Sequence, residues 1–136
     1  MVDSLEVMQA RNREAVKVGS LNLNALAKRV HEANAKWWHD IETGERLERN
    51  KGEMIALMHS ELSEMLEGIR KDLMDDHLPH RKMEEVELAD ALIRMLDYAA
   101  AHDLDLQGAF DDKMEYNANR PDHKPENRAK AGGKKF

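Results

Sequence analysis

Cysteine is absent from this 136-residue chain, so neither disulfides nor thiolate–metal chemistry is open to it. A reducing cytoplasm suits such a chain. Aromatic residues are scarce, with two each of Phe, Tyr and Trp, and there are only seven Gly and three Pro. No apolar run approaches the roughly 18 to 20 residues of a membrane span, and the opening residues lack the charged-then-apolar pattern of a secretory signal. A soluble, cytoplasmic protein that does not engage membranes is expected. An excess of basic charge is missing too: the formal net charge is −6, which argues against sequence-independent binding to a nucleic-acid polymer. It does not argue against a small anionic substrate, because a bound metal reverses the local potential.

What the chain does have is Ala, Leu, Met, Glu, Lys and Arg in abundance, with 41% of its residues apolar. That composition favours helices. The length suits one all-α domain with a core of its own. Residues 1–19 are weakly periodic and receive no assignment, and Gly19-Ser20 punctuates them. From Leu21 to Trp38, apolar steps of three and four through Leu23, Leu26, Val30, Ala33 and Trp37 predict a helix that carries Trp37 into the core. Asp40 to Lys51 reads as a loop around Thr43-Gly44. A second helix is expected from Gly52 to Lys71, a connection through Pro79, a third helix from Met83 to about His102, and a fourth from Leu104 to Asn119, stopped by Pro121. Four helices with short connections suggest an antiparallel four-helix-type bundle across 20–120. Residues 121–136, with five Lys or Arg against two acids, read as a flexible basic tail in which Lys130, Lys134 or Lys135 could fold over phosphate about Gly132-Gly133.

Two pairs of acids carry the chemistry. On the second helix Met54, Ile55, Leu57, Met58, Leu62, Met65, Leu66 and Ile69 make a broad apolar face, and Glu61 falls inside it, with Glu64 at its edge. The third helix is apolar around nearly its whole circumference and should be central. Its charges, Glu87, Asp90, Arg94 and Asp97, follow steps of three, four and three and so form one stripe. Acids placed there must be paired, protonated or metal-bound. Four carboxylates around one small volume suit hard Mg²⁺ or Mn²⁺. No two His lie at ligand spacing on a predicted helix, which speaks against zinc, and no Glu has a His three residues later, as a di-iron bundle would supply. On the fourth helix Lys113, Asn117 and Arg120 share a face suited to an anion.

The set E-x-x-E within His59-Ser60-Glu61-Leu62-Ser63-Glu64, E-x-x-D within Glu87-Leu88-Ala89-Asp90-Ala91-Leu92-Ile93-Arg94, and the Lys113-to-Arg120 pattern resembles the MazG-like branch of the all-α nucleoside triphosphate pyrophosphohydrolases, over about Trp37 to Arg120. The short chain and its Lys/Gly tail are most similar to single-domain members, including phage-encoded MazZ-like ones that trim purine deoxynucleotide pools. The resemblance implies hydrolysis of a (deoxy)nucleoside triphosphate, such as dGTP or dATP, to the monophosphate and pyrophosphate. It also implies homodimers or homotetramers. Under it, Glu61, Glu64, Glu87 and Asp90 are the metal ligands and catalytic acids, with Glu64 best placed to orient water, while Lys113, Asn117 and Arg120 meet the phosphates or sugar. Arg94 is a candidate for substrate or for a salt-bridge ladder with Asp90 and Asp97. Asp97 is a candidate for a sugar hydroxyl, and Trp38 for a base. The rival is a helical nucleotide-binding or regulatory module whose acids only form salt bridges.

Overall fold

A computed structural model describes residues 22–133; the N-terminal segment 1–19 and the tail lysines Lys134 and Lys135 lie outside the described residues. Every regular element among the described residues is helical, apart from two isolated bridges, His39 with Arg46 and Met74 with Lys82. The chain divides into two compact units after Leu104.

In the first unit, helix α1 covers Leu23–Ala33, α2 Lys51–Lys71 and α3 Met83–Ala101. Helix α1 starts where the Asn22 side chain accepts from the amides of Asn24 and Ala25, and α2 starts where Asn50 accepts from Glu53; each satisfies backbone donors that a helix start leaves unpaired. No side chain caps α3, but Glu84 and Glu85 in its first turn complement the helix dipole. At its other end α2 stops on Asp72, which adopts a left-handed conformation (φ 50°), while the Leu73 amide reaches back to the Gly68 carbonyl.

Helix α3, the most apolar of the three, packs against both α1 and α2, as its sequence requires. Gly68 of α2 is buried where α3 begins, and a Cβ there would lie 2.8 Å from the Met83 Cβ. The missing side chain therefore lets the two helices approach. Among the described residues the buried apolar ones are few: Ala27, Trp38, Met54, Ala91, Leu96 and Ala99. Most of the apolar face expected of α2 stays in solvent, including Ile55, Leu62, Leu66 and Ile69, and α3 leaves Leu88, Leu92 and Met95 uncovered.

After Ala33 the chain tightens into a 3-10 turn, Ala35–Trp37, and leaves the helical path expected to run to Trp38. The loop beyond it is organised by Asp40, whose carboxylate accepts from the amides of Glu42 and Thr43, with Gly44 at φ 71°. The second unit holds α4 (Leu106–Asn119), a 3-10 turn at Pro121–His123 and a short α5 (Pro125–Arg128). The described part of the basic tail, 121–133, thus carries two helical turns.

Candidate metal and substrate site

Glu61 projects from the middle of α2 toward α3, and Glu87 and Asp90 project from α3 one turn apart. One carboxylate oxygen from each of the three lies within 4.8 Å of the other two. Glu61 and Glu87 are buried and Asp90 is half-buried. Glu64, on the exposed edge of α2, is near enough to interact with both Glu61 and Glu87. The four acids of the two pairs thus meet in one volume.

Packing like charges out of water has the expected electrostatic result. Burial, reinforced by the Glu61 and Glu64 carboxylates, pushes the Glu87 carboxyl up to about 8. Burial also raises Glu61, but hydrogen bonds from Arg94, Glu87 and Glu64 outweigh it, and Glu61 ends below the usual carboxylate range. Asp90 is raised, first by burial and then by Glu61, against the pull of Arg94. The cluster therefore stores a proton on Glu87 while Glu61 carries charge. Arg94 Nε donates to Glu61 Oε1 at 2.7 Å. The other expected partners of Arg94 are not the ones it takes: its ion pair is with Glu61 rather than with Asp90 or Asp97.

Glu87 Oε2 is buried and, among the described residues, has no hydrogen-bond partner. An orphaned acceptor among clustered carboxylates, all oxygen donors, fits a hard divalent cation.

Glu61 and Asp90 border a cleft of about 500 Å³, lined also by Asn34, Trp37, Arg49, Ile93, Arg94 and Asp97. Comparison of the chain with protein-family models, with curated proteins and with solved structures finds no match in any of the three. The site therefore rests on its own geometry.

The two tryptophans exchange the places that helical spacing predicts. Trp37 is 61% exposed and walls the cleft, while Trp38 is 2% exposed and belongs to the core. Trp38 donates from Nε1 to both oxygens of Asp97, at 3.0 and 3.1 Å. His31 Nδ1 lies 2.7 Å from Asp97 Oδ1, so with a carboxylate that only accepts, Nδ1 carries the hydrogen. Asp97 thereby ties α1, the 3-10 turn and α3 together beneath the cleft. The guanidiniums of Arg46 and Arg49 lie over the Trp38 ring, 5.4 and 5.0 Å from its centroid.

Lys113, Asn117 and Arg120 belong to the second unit. Arg120 is bonded to Asp122, Lys113 sits 4.7 Å from the Tyr116 ring centroid, and the Asn117 Oδ1 is buried without a partner among the described residues. Asn34 and Arg49, which do line the cleft, escaped sequence reasoning: one caps a helix and the other lies in an aperiodic loop, and neither position carries a pattern.

Proposed function

We propose that the chain is a metal-dependent nucleoside triphosphate pyrophosphohydrolase of the MazG-like kind, cleaving a (deoxy)nucleoside triphosphate, with purine deoxynucleotides such as dGTP and dATP the favoured candidates, to monophosphate and pyrophosphate in the cytoplasm. The observation that carries this reading is the convergence of Glu61, Glu87 and Asp90 around the unpartnered Glu87 Oε2 at the wall of an open cleft. Glu61, Glu87 and Asp90 would hold Mg²⁺ or Mn²⁺, with Glu64 at the rim. Bound there, the cation supplies charge neutralisation for the phosphate chain and lowers the pKa of attacking water.

The remaining work falls to the protein's own groups. Glu64, the most exposed of the four acids, can accept a proton from a water molecule at the rim, since it has direct access to solvent. Arg49 faces the cleft with no carboxylate bonded to it among the described residues, so it is available to a phosphate oxygen. Trp37 offers an indole face to a base in place of Trp38. Beneath them the Asp97 bonds to Trp38 and His31 keep the cleft wall from collapsing.

The same reading makes the protein an oligomer. Gly68 meets Met83 and Glu61 meets Arg94, the pairing of helices that run in opposite directions. In such a hairpin the uncovered stripes, Ile55, Leu62, Leu66 and Ile69 on α2 and Leu88, Leu92 and Met95 on α3, turn to the same side, away from α1. A continuous apolar face of that kind suits a second copy, for which a stable interface needs about 800 Å² per partner.

The test is chromatographic product analysis with each ribo- and deoxyribonucleoside triphosphate, with Mg²⁺, with Mn²⁺ and with chelator. Metal-dependent monophosphate and pyrophosphate are expected. Nucleotide binding without product would replace the enzyme with a regulatory nucleotide-binding module.

A further inference from the structure

Glu61, Glu87 and Asp90 converge beside the cleft, and a single guanidinium answers them: among the described residues only Arg94 forms an ion pair with the cluster. It takes Oε1 of Glu61 at 2.7 Å, and Glu61 is one of the three acids whose carboxylate oxygens converge. A divalent cation held by Glu61, Glu87 and Asp90 would draw on the same Glu61 charge. Two positive centres on one carboxylate would stand only a few ångströms apart, where repulsion inside a half-buried site is strong.

Arg94 is also free to leave. Its side chain is 39% exposed, it borders the cleft, and a guanidinium on a long side chain can swing to solvent without opening the helix packing.

We propose that Arg94 and the divalent cation compete for Glu61, and that metal binding releases the Arg94 guanidinium into the cleft, where its planar fork meets the phosphate oxygens of the substrate. Arg94 is then a placeholder before metal binds and a substrate ligand afterwards. The coupling gives a reason for ordered assembly: phosphate finds a free guanidinium only after metal has taken the acid. This inference rests on the metal reading above.

The experiment is titration of the full chain with Mn²⁺ alone, followed by calorimetry, for the wild type, Arg94→Gln and Arg94→Lys, alongside thermal unfolding in chelator and in saturating Mn²⁺. Arg94→Gln is expected to bind Mn²⁺ about tenfold more tightly than the wild type or better, because the competing charge is gone. Arg94→Lys, which keeps that charge, is expected to stay within about threefold of the wild type. In chelator Arg94→Gln should melt below the wild type, since the acids lose their counter-ion, and saturating Mn²⁺ should close that gap. Equal or weaker Mn²⁺ binding by Arg94→Gln, or a melting deficit that Mn²⁺ leaves in place, would show that Arg94 stays on Glu61 and overturns the competition. A wild type that binds no Mn²⁺ overturns the metal reading itself.

Discussion

Replacing Glu87 by Gln separates what the acid cluster costs from what it does. Glu87 is 8% exposed, and its carboxyl ionises at about 8 against the ordinary 4.5. Between those two pH values the native chain holds a proton that the unfolded chain has released, so stability must fall as pH rises through the window. The loss is complete above the upper value. A carboxyl acting alone would make this fall about 5 kcal/mol. Glu61 and Glu87 titrate as a coupled pair, so one substitution removes only part of it, about 2 kcal/mol. Gln keeps the volume and cannot ionise. In chelator, urea unfolding should therefore find Glu87→Gln within about 0.5 kcal/mol of the wild type at pH 5 and about 2 kcal/mol more stable at pH 9. Added Mn²⁺ at pH 8 should stabilise the wild type by mass action and leave the variant unmoved. A stability difference that is the same at pH 5 and pH 9 refutes the stored proton, and equal stabilisation of both proteins by Mn²⁺ refutes the role of Glu87 in holding metal.

Glu61→Gln and Asp90→Asn should each abolish triphosphate turnover while circular dichroism stays helical, since either removes ligand charge without emptying volume; full activity in both would dismiss the site. Trp37→Ala should raise KM about tenfold or more with little change in melting temperature, because the ring is largely exposed and its loss costs base stacking rather than core; an unchanged KM would remove the base from that wall. Leu66→Glu combined with Leu92→Glu places charge on the uncovered faces of α2 and α3, and light scattering should show the assembly reduced to monomers. A wild type that is already monomeric would contradict the oligomer directly.

The parts of this site that were legible in the sequence are those set by local periodicity. An acid inside an apolar helical stripe is conspicuous because burying charge is costly, and this marks Glu61, Glu87 and Asp90 in the sequence. The bounds of α2 and α3 and the central position of α3 followed from the same signal. Periodicity misleads where its phase breaks. Helix α1 ends at Ala33, and the backbone turns more tightly through Ala35–Trp37, about 120° per residue in place of about 100°. A spacing continued past Asn34 therefore rotates each side chain to the wrong side, which is why Trp37 reads as core and Trp38 as cleft when the reverse holds.

The stripe on α3 shows the other way in which a correct pattern yields an incomplete reading. Glu87, Asp90, Arg94 and Asp97 do lie along one side, as their spacing requires, but a helix drifts across its neighbours as it rises. The first three residues face α2 and its acids, whereas Asp97, two turns beyond Asp90, has come round to α1, where His31 and Trp38 claim it. Which partner a charge meets along a stripe is decided by where the adjacent helices lie. That is a tertiary fact, and no spacing within a single helix contains it. The same reasoning explains why Arg49 was invisible: its place at the cleft depends on a loop folding back over the Trp38 ring, and that ring is anchored by hydrogen bonds to the Asp97 carboxylate of α3.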